Sequence, residues 1–366
     1  EIWRELQGGR GGGGGRGGGG GFCCNDTATT EIYTLSLHDA LPIYGIRTRD
    51  RRALARSITL LESTRPSHRD QAESLLTALL PDVGMSFRIG ITGVPGVGKS
   101  TFIEALGLKA IKAGHRVAVL TVDPTSVVSG GSILGDKTRM EKLSSHPEAF
   151  VRPSPSGGSP GGVARRTRES ICLCEAAGYD YVIVETVGVG QSELRVAQMT
   201  DFFLLLILPA SGDELQGIKR GVMELVDLIL VNKADDDLQN AARRTVSSYT
   251  HAVRLMQPRI SGWQVPVLAV SALRDKGISE TLDILDKFQV QYMESGLTEE
   301  HRTEQSGDWL RQELRDGLID LCRQDPVIAT RLKILEKDVK AGRVVATVAA
   351  RQLVDEIAQR RAGTQS

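Results

Sequence analysis

Apolar residues recur along this 366-residue chain in two alternating rhythms. Short unbroken apolar runs at Phe87–Thr92, Arg116–Val122, Tyr181–Glu185, Phe202–Leu208, Leu228–Val231 and Val265–Val270 predict buried β-strands. Between them the period lengthens to three or four residues. That predicts helices near Lys99–Ala113, Ala164–Ala177, Gln191–Met199, Leu215–Glu224, Asp237–Met256 and Ile278–Ser295. Strands that are apolar throughout need cover on both faces, and strands separated by helices run parallel. The pattern therefore predicts an α/β fold, a mostly parallel sheet flanked by helices, over residues 85–296. Two more amphipathic stretches, Arg51–Ser63 and Arg69–Asp82, predict an N-terminal helical segment over 45–84. After Leu297 the strand pattern stops. "DWLRQELRDGLIDLCRQ", "ATRLKILEKDVKAG" and "VVATVAARQLVDEIAQR" predict a C-terminal helical extension over 297–366, either a cover for the sheet or an arm for self-association.

Residues 1–44 follow neither rhythm. Residues 8–21 read "GGRGGGGGRGGGGG", which cannot build a core, and Phe22–Ile43 resembles the translation of a sequencing adapter. This stretch is expected to be artefactual or disordered and is set aside from the fold.

Composition narrows the partners. Lys+Arg and Asp+Glu are 45 each, so the formal charge is zero and nothing points to a nucleic acid or a membrane surface. The longest apolar run, Phe202–Ala210, is too short to cross a bilayer. Five cysteines show neither a pairing framework nor zinc spacing, which makes a reduced, cytoplasmic location the expectation.

Candidate chemistry starts after the first strand. Gly93-Val94-Pro95-Gly96-Val97-Gly98-Lys99-Ser100 fits G-x-x-x-x-G-K-S/T, a P-loop. Its glycines let backbone N–H groups turn toward phosphate oxygens, and the helix that opens at Lys99, with Thr101 in its first turn, points its positive end at the same anion. Lys99 is assigned to the β- and γ-phosphates and Ser100 to Mg²⁺. Asn232-Lys233-Ala234-Asp235 follows a later strand and fits N-K-x-D. The Asp235 carboxylate can accept from guanine N1–H and the N2 amine; adenine would leave it unpaired, which makes the site selective. Ser271-Ala272-Leu273 fits the companion loop whose N–H groups face guanine O6. Glu185-Thr186-Val187-Gly188 ends another strand, where a carboxylate can hold Mg²⁺ and Gly188 allows close approach to the γ-phosphate. Ras-type switches keep a water-orienting Gln just after that glycine; here the residue is Val189, so unassisted hydrolysis is expected to be slow.

These motifs and their surroundings resemble the methylmalonyl-CoA mutase-associated GTPases, the MeaB/ArgK group. The matching stretches are "RRALARSITLLE", "GITGVPGVGKSTFIEALG", "GGSILGDKTRM", "GGVARRTRE", "CEAAGYDYVIVETVGVGQSE", "GDELQGIKRGVMEL" and "NKAD". The resemblance implies a GTPase with GTP/GDP and Mg²⁺ as cofactors, a homodimer through C-terminal helices. It also implies a chaperone that gates adenosylcobalamin loading and protects a methylmalonyl-CoA mutase-type enzyme. By motif position it assigns Asp123, Asp136 and Glu185 to Mg²⁺ and switching, and "SGDELQGIK", with Gln216 and Lys219, to a further switch. Lys219 would supply charge to the transition state and Gln216 would orient water. Where the family reads "SSGTLGGVA" this chain reads "SGGSPGGVA"; Pro160 removes a backbone donor there. Three alternatives remain: a GTPase metallochaperone, disfavoured by six scattered histidines; an amino-acid transport system kinase-type ATPase; and a nucleotide-gated binding module without significant turnover.

Overall fold

The computed structural model describes residues 37–63, 65–122, 140–152, 160–186, 192–209, 220–257 and 259–363. The chain opens with helices α1 (Leu37–Arg47), α2 (Arg51–Glu62) and α3 (Pro66–Leu79). Then come β1 (Phe87–Gly93), α4 (Lys99–Lys112), β2 (Val117–Val122), α5 (Glu141–Ser145), β3 (Ala149–Arg152), α6 (Pro160–Ala176), β4 (Tyr181–Thr186) and α7 (Ser192–Ala197). The second half holds β5 (Phe202–Ile207), α8 (Arg220–Met223), β6 (Leu228–Val231), α9 (Gln239–Arg254), β7 (Val267–Ala269) and α10 (Ile278–Glu294). It ends with α11 (Leu297–Gln324), α12 (Pro326–Lys340) and α13 (Ala346–Gly363).

The seven strands form one sheet in the order β3-β2-β4-β1-β5-β6-β7. All pairs are parallel; Ile91 of β1 stands opposite Glu185 of β4, and Gly93 opposite Leu206 of β5. Alternate residues of each strand feed two cores. Ala118, Leu120, Val182, Val184, Phe203 and Leu205 face one; Ile89, Ile91, Val119, Ile183, Leu204 and Leu206 face the other. This two-sided burial is why the strands read as unbroken apolar runs. In a parallel sheet every strand ends on the same edge, which gathers the residues after Gly93, Thr186 and Val231 on one rim.

The sequence pattern missed β3. "AFVR" is only four residues long at the sheet edge, and it pairs with β2 through backbone hydrogen bonds that periodicity does not report. Helix α6 starts at Pro160, earlier than expected, so Pro160 sits at the first helical position. A proline there loses no intrahelical bond and its fixed φ suits the turn. Helix α1 begins inside the stretch that composition set aside up to Tyr44. Ile43 and Ile46, 6% and 0% exposed, join the core beneath α2 and α3.

The start of the C-terminal helical segment is tied to the sheet. The first turns of α11 are pinned to the amino-terminal ends of the strands. Arg302 donates from Nη2 to Asp201 Oδ2 at 2.6 Å and from the same nitrogen to Ser86 O. Gln305 Nε2 donates to Thr200 O at 3.0 Å. Beyond that point α11 has no buried residue, and Leu310, Leu314 and Leu318 are 71%, 61% and 46% exposed. No described helix is long and apolar enough to cross a membrane.

Candidate functional site

The loop between β1 and α4 is built around two glycines that no other residue could replace without displacement. Gly93 has φ 153°, and a Cβ there would lie 2.4 Å from Leu206 O on the neighbouring strand. Gly98, at φ 93°, caps α4, and a Cβ would lie 2.8 Å from Asn232 Nδ2. The backbone approaches its neighbours at these points because no side chain intervenes. Val97 is fully buried and anchors the loop in the core below, while Gly96 is exposed at its tip. Lys99 is 8% exposed and donates from Nζ to Gly93 O at 2.8 Å, which holds the ammonium inside the loop.

Ser100 Oγ lies 3.4 Å from Glu185 Oε1 across 85 residues of chain. Glu185 is 4% exposed at the end of β4, next to β1. Thr186 Oγ1 donates to Thr92 Oγ1 at 2.9 Å and links the same two strand ends. A hydroxyl beside a buried carboxylate is a hard-oxygen pair. It fits Mg²⁺, which takes one or two protein ligands and completes its octahedron with water and phosphate. Among the described residues no group of three or more His, Cys, Asp or Glu could cage a metal by itself. Thr101, in the first turn of α4, is exposed.

The base-side motifs meet the loop from the other flank. Asn232, 2% exposed, donates from Nδ2 to Val97 O at 2.8 Å and accepts at Oδ1 from Ala272 N at 3.2 Å. One buried amide therefore joins three loops. Lys233 takes φ 60° and is exposed, so the chain turns sharply and brings Asp235 back toward the rim. Asp235 Oδ2 accepts from Ser271 Oγ at 2.6 Å, which fixes the orientation of the carboxylate. In the Ser271–Leu273 loop the Ala272 N–H donates to Asn232 Oδ1, the donor a buried amide oxygen needs, and Leu273 is 77% exposed.

The structure thus brings Gly93–Thr101, Glu185, Asn232, Lys233, Asp235 and Ser271–Leu273 to one rim. Asp123, Asp136, Val189, Gln216 and Lys219 lie outside the described residues. Sequence reasoning missed two positioning roles: Asn232 as the tie to the phosphate loop, and the Ser271 hydroxyl as the clamp on Asp235. Neither has a local signal, since the partners are 135 and 36 residues apart.

A family model described as Methylmalonyl Co-A mutase-associated GTPase MeaB matches residues 54–326. The chain belongs to this family. Among its relatives is a Mycobacterium bovis protein described as "Probable GTPase", 50% identical over 311 residues, spanning 85% of this chain and 93% of that one. GTPase ArgK of Escherichia coli is 46% identical over 278 residues, 76% of this chain and 84% of the relative. A mitochondrial methylmalonic aciduria type A homolog of Mus musculus is 43% identical over 308 residues, 81% of this chain and 74% of the relative. A crystal structure described as a LAO/AO transport system kinase superposes with TM-score 0.72 at 36% identity, covering 88% of this chain and 98% of that one. Membership of the MeaB family implies guanine-nucleotide binding in a P-loop GTPase fold.

Proposed function

We propose that the protein binds GTP with Mg²⁺ at this rim, hydrolyses it, and uses the cycle to gate adenosylcobalamin loading of a methylmalonyl-CoA mutase-type enzyme. The observation that carries the reading is the three-loop junction at Asn232, which sets a phosphate loop, a guanine-selecting carboxylate and a hydroxyl–carboxylate pair against one another. The loop N–H groups and the amino end of α4 hold the phosphates, and Lys99 exchanges its carbonyl acceptors for phosphate oxygens. Ser100 and Glu185, with Asp123 and Asp136 by motif position, hold Mg²⁺, which when bound neutralises phosphate charge. Asp235, clamped by Ser271, reads guanine, and the Leu273 N–H is the donor left for O6.

The hydrolytic step is assigned to Gln216, orienting water, and Lys219, supplying positive charge. Both follow β5, whose end lies on the same rim as the phosphate loop. A homodimer through α11–α13 would cover the stripe of Leu310, Leu314 and Leu318. The free thiols Cys172, Cys174 and Cys322 fit a reducing cytoplasm.

The test is single-turnover GTP hydrolysis with and without a purified cobalamin-dependent mutase, for the parent and for Gln216→Ala and Lys219→Ala. Slow basal turnover that the mutase accelerates, with acceleration lost in both variants while GTP still binds, is the expected result. Equal stimulation of both variants would remove this segment from the mechanism. Phosphate appearing on an acceptor other than water would favour the kinase alternative.

A further inference from the structure

Strands β1 and β4 part at the carboxyl edge of the sheet. Their shared register runs from Phe87 opposite Tyr181 to Ile91 opposite Glu185. Past that point β1 follows β5, with Thr92 opposite Leu205 and Gly93 opposite Leu206, while Thr186 stands opposite Val122 of β2. A gap between strand ends on this edge is where open parallel sheets take ligands. The hydrogen bond from Thr186 Oγ1 to Thr92 Oγ1, at 2.9 Å, spans the gap one residue beyond the last shared pair. On α4, Ser100 Oγ reaches Glu185 Oε1 at 3.4 Å.

The two threonines lie on the sheet face away from α4. Side chains alternate along a strand. Ile91 and Ile183 pack in the core that holds Phe102 and Ile103 of α4, so Glu185 faces α4, and Thr92 and Thr186 face the opposite core with Val184 and Leu205. Thr92 is 2% exposed and Thr186 is fully buried. Two buried hydroxyls add little to stability here, because valines of the same shape would bury the same area without desolvating a polar group. What valine lacks is direction: a hydroxyl pair holds its two oxygens at one separation. The β1 end is itself fixed, because Gly93 packs so closely on β5 that a Cβ would lie 2.4 Å from Leu206 O. The hydroxyl bond therefore decides where the β4 end, and Glu185 with it, comes to rest.

We propose that the Thr92–Thr186 pair positions the rim for a divalent cation: it sets the width of the gap between β1 and β4, and through it the spacing of Ser100 and Glu185. The inference rests on the reading of this rim as a GTP–Mg²⁺ site. Mg²⁺ demands near-octahedral geometry with bonds of about 2.1 Å, so two adjacent ligand oxygens stand about 3 Å apart. A cation that strict penalises a small change in the spacing of the pair. Both threonines act through Glu185 and neither is a ligand, so their effect belongs to the metal-dependent part of nucleotide binding.

The experiment is calorimetric titration of the full chain with a non-hydrolysable GTP analogue, in Mg²⁺ and in excess EDTA, with urea unfolding of the same proteins. The readout is the factor by which Mg²⁺ tightens binding. In Thr92→Val/Thr186→Val that factor should fall by about fivefold or more, the scale of one lost hydrogen bond. The double variant should unfold closer to the parent than either single valine variant, which strands one buried hydroxyl. Thr92→Ser/Thr186→Ser keeps both oxygens and should keep the parental factor, whatever its lost methyl groups cost in stability. A double valine variant with the parental factor overturns the inference. So does a loss of affinity that is equal with and without Mg²⁺, which is what a merely structural role would give, and so does a folded serine variant that loses the factor. Failure of the parent to respond to Mg²⁺ overturns the GTP–Mg²⁺ reading as well, and is read from the parent alone.

Discussion

Replacing Asn232 with alanine should uncouple the three loops of the nucleotide rim. The side chain satisfies two buried backbone groups, Val97 O at 2.8 Å and Ala272 N at 3.2 Å, and both residues are buried. Alanine reaches neither, and water has little room to replace the amide, since Asn232 is itself 2% exposed. A buried polar group left without a partner costs about 1–3 kcal/mol. The longer Ala272 bond belongs at the low end of that range, so the two together give a loss of about 2–4 kcal/mol. Against a typical domain stability of about 5–15 kcal/mol this is a large fraction. Part of the same energy now pre-organises the phosphate loop against Asp235, so GDP affinity should fall by about tenfold or more, at about 1.4 kcal/mol per tenfold. Guanidinium unfolding of the nucleotide-free protein, followed by circular dichroism, measures the first quantity; calorimetric titration with GDP measures the second. Asn240→Ala is the control, because Asn240 is an exposed asparagine on α9 outside the rim motifs. If Asn232→Ala unfolds within 0.5 kcal/mol of the parent, a figure within the usual scatter of surface substitutions, and binds GDP as well, the amide is not the tie described here.

Three further outcomes follow from the same geometry. Asp235→Asn should weaken GTP strongly and improve xanthosine triphosphate, whose base presents an acceptor where guanine has its amine; unchanged GTP affinity would remove Asp235 from base selection. Removing residues 1–36 should leave unfolding unchanged, whereas removal through 43 should cost about 1.5–3 kcal/mol for the lost burial of Ile43 alone; equal melting of the two truncations would show that α1 contributes nothing. Burial raises the Asp227 carboxyl to about 6 despite Arg259 at 2.6 Å, so the folded chain holds more protons than the unfolded one between about pH 4 and 6. This contribution to stability is present below about pH 4 and lost as pH rises through about 6, worth on the order of 1–3 kcal/mol. Asp227→Asn should therefore gain on the parent as pH rises across that window in urea unfolding. His301, whose pKa burial lowers, contributes the opposite slope and is common to both proteins. Parallel stability curves for the two proteins would overturn the assignment.

Local chemistry made much of this protein legible in its sequence. The strands β1, β2, β4, β5 and β6 could be read because burial on both faces demands unbroken apolar runs. The phosphate loop and N-K-x-D could be read because the backbone geometry and hydrogen bonding they need fix residue types at short spacing. The limit appears wherever the deciding partner is far along the chain. Strand β3 is four residues made a strand by β2, and α1 is a helix held by cores formed later in the chain. Asn232 is one polar residue among many until folding sets it against Val97 and Ala272, and Ser271 until it meets Asp235. Arg168 reads as ordinary solvated charge until folding buries it against Gln312 and Trp309 of α11. Sequence records what each segment requires of its own backbone and faces; which buried donor meets which buried acceptor is decided only when the sheet aligns its strand ends on one edge.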